Sequence, residues 1–354
     1  MSFGGGFLRF PDLFPGRLGG EPWGDRSLTL AVAGGPYLLS GLSAVQEAAV
    51  RRRFAGACRD ADSPPAVATR VFRAPAADFR ERDVRGWEYT LDMDHAPTRV
   101  LLAGLRLMAR LDWTPALTGG LWTSEAAGEE WTSVCENYLR VLAAYRLLEQ
   151  GGAVLHSAGI TDGAAAFLLL GPSGAGKTTS SRMCLERGAK VLSDDLNAVL
   201  LPRSPHLPGP PLPALHPTHR GEEGERRRGE AFSPPLPVGE EGLGVVRASE
   251  GPGEVRVLRL PFTGDLGERA DGPASYPLAA VLRLVKGDAD RLRPLSPAAA
   301  LASLVAAAPF VNRDPWRREA LLGVLERLAR SVPAYELVFS LGGGLWDILR
   351  SIPR

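Results

Sequence analysis

The residues Gly171-Pro-Ser-Gly-Ala-Gly-Lys-Thr178 fulfil the spacing G-x-x-x-x-G-K-[ST]. Each part of that spacing suits a polyphosphate. The glycines carry no Cβ, so backbone N–H groups can turn inward around a β-phosphate. Lys177 reaches the β- and γ-phosphates, and the Thr178 hydroxyl is a Mg²⁺ ligand. The N-terminus of the following helix adds a positive field. Phosphate binding is therefore expected at Gly171, Ser173, Gly174, Ala175, Gly176, Lys177, Thr178 and Thr179. The context fits: an apolar strand, Phe167–Leu170, precedes the loop, and the helix "TTSSRMCLERG" follows it up to Gly188. Only Lys177, Lys190 and Lys286 are lysine in a chain whose other basic residues are arginine. A retained lysine here suits a task that needs a compact ammonium on a flexible stem.

Two acids follow closely. Asp194-Asp195 lies sixteen residues after Thr178, at the end of a short strand. A strand–loop–helix–strand path returns the chain beside the phosphate loop, so both carboxylates are expected near a γ-phosphate. Phosphoryl transfer to a hydroxyl needs one group to hold Mg²⁺ and one to accept the hydroxyl proton. Adjacent acids can divide that work. His156 lies on the strand before the loop strand. If the two strands pair as a hairpin, it reaches the same centre and can orient or polarise a catalytic Asp. His95, between acids in "DMDHAP", reads as part of a solvated turn rather than a metal site. His206, His216 and His219 read as solvated loop.

Other P-loop classes lack their marks. No lysine follows an asparagine, so there is no Asn-Lys-x-Asp base-reading motif of a GTPase. The late "FSLGGGLWDI" is not an ABC-type signature.

The elements that must position these groups read as α/β. Residues 1–125 read as a mixed α and β domain. It contains a helix over 42–57 with a Ser43/Gln46 capping box and strands at "ATRVFRA" and "GWEYTLDMD". "PTRVLLAGLRLMARLDW" is ambiguous between helix and strand. The domain boundary is expected near 126. There "TSVCENYLRVLAAYRLLEQGG" predicts a helix opened by a Ser133/Glu136 capping box. Its apolar face carries Val134, Tyr138, Val141, Leu142, Tyr145 and Leu148.

"AVLHSAGITDGAAAFLLLG" predicts two strands around Thr161-Asp162-Gly163. "KVLSDDLNAVLL" predicts a strand broken by its acids. Residues from about 202 to 253 are rich in Pro, Gly and charge and read as a mobile insertion. Beyond it come strands at "VRVLRLPFTGD" and "YPLAAVLRLVKG". Helices follow, opened by Ser296-Pro297 and Asp314-Pro315, then a strand at "AYELVFSL" and a helical turn at "LWDILRS".

Composition narrows the class. The 354 residues are 45% hydrophobic and 23% charged with a formal net charge of +1, so no global field favours nucleic acid. Cys58, Cys135 and Cys184 form no CxxC pair, which fits a reducing cytosol rather than a disulfide scaffold. No signal peptide is read at the start, and no apolar run reaches the roughly 18 residues of a membrane span. A cytoplasmic protein is expected.

Together, "VLHSAGITDG", "LLLGPSGAGKTT" and "RGAKVLSDDLNAVL" resemble the C-terminal domain of the HPr serine kinase/phosphorylase family, whose relatives include kinases of peptide-modification clusters. "ENYLRVLAAYRLLEQGG" and "RLPFTGD" are similar to it as well. The likeness covers about 130–201 strongly and 255–354 loosely. It implies a P-loop kinase domain of the HPr kinase/phosphoenolpyruvate carboxykinase type, a mixed twisted sheet over 126–354 behind an N-terminal α+β domain. It also implies ATP, Mg²⁺ and transfer to a hydroxyl, usually serine.

By position, the resemblance makes Lys177 and Thr178 the phosphate and metal residues. Asp194 would be the base, Asp195 a metal or water-shell ligand, and His156 the partner of the Asp; the two Asp roles are exchangeable. The family continues from its lysine with Ser-Glu, whereas this chain has Thr-Thr, and the family's later glycine-rich signature is not found. The expected activity is a kinase acting on a hydroxyl of a peptide or protein, with the first 125 residues available to recognise it. A free-serine-like small molecule is the first variant. A nucleotide-binding module that gates a partner without transfer is the alternative. Homo-oligomerisation is compatible with either.

Overall fold

A computed structural model of the chain describes residues 20–59, 64–79, 91–104, 106–202, 253–262, 264, 266, 273–340 and 344–353. The expected insertion, nearly all of "GWEYTL", and His206, His216 and His219 lie outside these residues.

The N-terminal half is a mixed eight-stranded sheet. Its elements are β1 (Arg26–Leu30), β2 (Tyr37–Leu42), α1 (Ala44–Arg53), β3 (Cys58–Arg59), β4 (Val67–Arg73), β5 (Asp92–Ala96), β6 (Arg99–Gly104), β7 (Leu107–Trp113) and β8 (Leu117–Thr123). The spatial order is β3-β1-β2-β4-β8-β7-β6-β5. The β2–β4 and β4–β8 pairs are parallel, and the others are antiparallel. The Ser43/Gln46 capping box is present at α1. The ambiguous stretch over 97–113 is a hairpin of β6 and β7, turning where Arg106 adopts φ 58°. His95 sits on β5, not in a turn.

Next comes α2 (Gly128–Glu149). The expected capping box at Ser133 and Glu136 is not its start: the helix begins five residues earlier. Trp131 explains the difference. Its ring is wholly buried, and its Nε1 donates to Gln46 O at 3.1 Å, which draws the preceding turn into the helix. Glu129 and Glu130 then occupy the first turn, where the helix dipole favours acids. The expected apolar face is buried, but so are Cys135, Leu139, Ala143 and Leu147, because α2 contacts strands of both halves.

The C-terminal half comprises β9 (Gly152–Thr161), β10 (Ala166–Leu170), α3 (Lys177–Leu185), β11 (Lys190–Ser193), β12 (Leu196–Leu200), β13 (Arg256–Leu258), β14 (Ser275–Lys286), β15 (Arg291–Pro294), α4 (Pro297–Ala307), α5 (Arg318–Ser331), β16 (Ala334–Phe339) and α6 (Leu345–Ser351). Ser296 caps α4 as expected. Asp314 instead accepts from Trp316 N in the turn before α5, so that helix starts later than Asp314-Pro315 suggests.

The two longest strands, β9 and β14, each serve two sets of partners. The first half of β9 pairs with β12; its second half pairs with β10 and β11. The start of β14 pairs with β13, and its remainder runs parallel to β10 and β16. With β12–β13 pairing, the strands β9-β12-β13-β14-β10 close a ring. β15 extends the sheet beyond β16. β10 is buried along its whole length, as a central strand covered on both faces must be.

One apolar core runs through both sheets. It joins Leu39 and Leu121, Tyr138 and Leu142 of α2, and Leu155, Leu168 and Val257. Each fully buried Leu contributes about 1.5–3 kcal/mol relative to an exposed one. The whole is mixed α/β with six helices among the described residues, none long and apolar enough to cross a membrane.

Candidate functional site

The site forms where β9 changes partner. His156 is the last β9 residue opposite β12, in register with Leu196. Ser157 is the first opposite β10, in register with Leu170, the residue before the glycine loop. β11 and β12 run consecutively beside β9, and the gap between them is Asp194-Asp195. One strand switch thus brings the histidine, both acids and the loop to one place.

The loop from Gly171 to Gly176 connects β10 to α3. Gly176 has φ 103°, and a Cβ there would meet the Phe339 ring at 2.5 Å, so both conformation and space require glycine. The N-cap of α3 makes no side-chain capping bond, which leaves the helix amides open to an anion. Lys177 is almost wholly buried, and its Nζ donates to Gly171 O at 2.8 Å and Pro172 O at 3.3 Å. Burial pushes its ammonium below the ordinary lysine range, opposed by the charges of Asp195 and Asp194. A buried cation beside the Gly171 and Pro172 carbonyls and uncapped amides fits a polyphosphate. Ser173, Gly174, Ala175 and Thr179 take the places that the motif gives them, in the loop and in the first turn of α3.

The two acids point to different partners. Ser193 Oγ accepts from Asp195 N and Leu196 N, both at 3.2 Å, and fixes the turn between the strands. Asp195 O accepts from Ser157 N at 3.0 Å. From this turn, Asp194 Oδ2 accepts from Thr178 Oγ1 at 3.0 Å. Its other oxygen accepts from Leu266 N at 3.4 Å. Gly264 lies against the same oxygen: a Cβ there would fall 1.8 Å from Asp194 Oδ1. Asp194 is buried.

Asp195 is more open, its side chain 28% exposed. Its Oδ1 lies 3.1 Å from His156 Nδ1 and its Oδ2 3.0 Å from Arg140 Nη1. Burial would raise its carboxyl, but the His156 hydrogen bond, Arg140 and Lys177 together hold it below the usual carboxylate range. The structure therefore brings Lys177, Thr178, Asp194, Asp195 and His156 together.

Other contributors escape sequence reasoning. Arg140 of α2 joins Asp195 to Glu136 and lies over the Phe262 ring. Its signal was a lone charge in an apolar stretch of a helix. Asn197 Nδ2 donates to Ser157 O at 2.7 Å and bridges β12 to the switch point of β9. Gly264 and Leu266 come from "LPFTGDL", beyond the insertion, and only folding shows that they reach Asp194. His95 is not part of the site. Among the described residues no cluster of three or more metal-ligating side chains occurs, so a cation here would rest on few protein ligands.

The chain matches no protein-family model and no curated protein.

Proposed function

We propose that this protein is an ATP- and Mg²⁺-dependent kinase that phosphorylates a hydroxyl, of serine type, on a peptide or protein. The single observation that carries this reading is the divergence of the acid pair. Asp194 is bonded to the Thr178 hydroxyl beside the phosphate loop, whereas Asp195 is bonded to His156.

That divergence supports a division of labour. Thr178 and Asp194 together suit the metal side, because a P-loop Thr and a neighbouring Asp commonly share a Mg²⁺ and its waters. Asp195 suits the acceptor side. It is the more exposed acid, and it remains ionised because positive partners surround it. This exchanges the two Asp roles that the resemblance to HPr kinases implied. ATP with Mg²⁺ would supply the transferable phosphoryl group and neutralise its charge.

The chain's own residues supply the rest. Lys177 would leave the loop carbonyls for phosphate oxygens. The α3 amides and the glycine loop would hold the β-phosphate. Asp195 would accept the proton of the attacking hydroxyl at Oδ1 or Oδ2, and His156 would hold that carboxylate in orientation and spread the gained charge. A carboxylate of low proton affinity suits this reaction, since phosphoryl transfer has a loose transition state in which the proton leaves late.

The test is to incubate the purified protein with γ-labelled ATP and Mg²⁺, with and without host-cell extract, and to follow the label. Label on a peptide or protein, absent with Lys177→Ala, supports the kinase. Label on a free amino acid would move the acceptor to a small molecule. Label released only as free phosphate, with tight nucleotide binding, would replace the kinase with a nucleotide-gated module.

A further inference from the structure

On the reading that Asp195 accepts the hydroxyl proton, we propose that Arg140 is a positioning residue for that carboxylate, aimed by Glu136 and tied through Arg53 to the N-terminal sheet. Four charges of alternating sign stand in a row: Asp195, Arg140, Glu136 and Arg53. Arg140 Nη1 lies 3.0 Å from Asp195 Oδ2, and Nη2 donates to Glu136 Oε1 at 2.8 Å. Glu136 Oε2 accepts from Arg53 Nη2. Each interior charge therefore touches two of opposite sign.

The arrangement costs more than a packing tie needs. Glu136 is buried, and a buried carboxylate is tolerated only when both oxygens are paired. An arginine side chain gives up considerable rotamer freedom when fixed in one place. Arg140 is fixed by three neighbours: Asp195, Glu136 and the Phe262 ring, 5.7 Å from its guanidinium carbon. The outward end of the row is the one half-open acid, beside His156.

Phe262 also begins the segment whose Gly264 and Leu266 border Asp194. Arg140 thus touches the surroundings of both acids, yet makes no hydrogen bond or ion pair with the phosphate loop among the described residues.

The geometry fixes what Arg140 does. With Oδ2 held by Arg140 and Oδ1 by His156, the Asp195 carboxylate has one orientation relative to an incoming hydroxyl. Three groups act on its charge: Arg140 from α2, His156 from β9 and Lys177 from α3. Removing Arg140 frees the carboxylate to rotate. Lysine would keep the charge but lose the fork that spans Asp195 and Glu136.

The experiment compares wild type, Arg140→Gln, Arg140→Lys, Asp195→Asn and Arg140→Gln/Asp195→Asn in the full-length protein. It reads melting temperature, affinity for a fluorescent ATP analogue with Mg²⁺, and label transfer from γ-labelled ATP in host extract. Arg140→Gln is expected to keep nucleotide affinity within about twofold and to lose transfer by about a hundredfold, the scale of a misplaced reacting group. In the double variant transfer should fall no further than in Asp195→Asn alone, because Arg140 acts through that carboxylate. Arg140→Lys should recover part of the lost transfer.

Unchanged transfer, losses from Arg140→Gln and Asp195→Asn that simply add, or a loss of nucleotide affinity equal to the loss of transfer would each overturn the proposal. No transfer by the wild-type protein would sink the kinase reading itself. If Arg140→Gln does not fold, Glu136→Gln keeps the volume and unaims the arginine, and the same readouts should move in the same direction by less.

Discussion

The two sheets share one core but use their buried polar groups differently. In the N-terminal sheet those groups close on their own packing. Tyr138 OH pairs with Thr69 Oγ1 at 2.8 Å, Gln46 Nε2 donates to Glu125 O, and Tyr37 OH donates to Ala33 O. Burial pushes the Tyr37 and Tyr138 phenols far above the ordinary range, so they stay neutral. In the C-terminal sheet the polar groups gather where a strand breaks and its neighbour changes partner. There Lys177, Asp194, Asp195 and His156 stand together. On the proposed kinase reading, chemistry goes where the ladder stops, and continuous strands leave their polar groups only packing to do.

This contrast predicts that function and stability separate by region. The largest effect is expected at Asp195. Asp195→Asn should reduce label transfer by about a thousandfold, within the range of general-base catalysis, while nucleotide affinity stays within a few-fold. Loss of nucleotide affinity in parallel would return Asp195 to the metal side and restore the first assignment of the two acids. Next comes Leu102→Ala, at a wholly buried position of β6. It should lower unfolding free energy by about 2–5 kcal/mol in denaturant titration. Nucleotide affinity of the folded protein should not move; a large change would mean that the two sheets are not separable.

Gly264→Ala sharpens the boundary from the other side. Its Cβ would fall on Asp194 Oδ1, so Asp194 or the 264 segment must shift. Mg²⁺-dependent nucleotide affinity should fall about tenfold, a little over 1 kcal/mol, with little change in melting temperature. An unchanged Mg²⁺ dependence would argue against Asp194 as the metal-side acid.

The same contrast explains how much was legible beforehand. The glycine loop, α3, the β9–β10 hairpin and the acid break were readable because their constraints are local. A phosphate loop needs particular residues in consecutive places, and a two-residue acid interruption stands out in an apolar strand. The N-terminal sheet was mostly missed. β2 and β8 show no clear alternation, β1 alternates over only Ser27-Leu28-Thr29-Leu30, and the 97–113 hairpin is buried along much of its length, so strand and helix periods cannot be told apart there. At α2 the local capping signal at Ser133 lost to a long-range contact, Trp131 with Gln46. Arg140, Gly264 and Leu266 could not be found from spacing, because each meets the acids only through tertiary structure.

The smallest effect tests whether that local legibility carries to function. Ser43 Oγ accepts from Gln46 N at 3.2 Å, and Gln46 Oε1 accepts from Ser43 N at 3.0 Å. Gln46 is buried and also meets Glu125 and Trp131, so this cap seats α1 against the start of α2. Ser43→Ala should cost about 1 kcal/mol of stability, the usual worth of an N-cap. Transfer by the folded protein should be unchanged, because the cap lies at the opposite end of α1 from Arg53. A loss of transfer larger than the lost stability explains would mean that the seating of α1 is felt through Arg53, Glu136 and Arg140 at Asp195. The division between a packing sheet and a reacting sheet would then give way to one coupled unit.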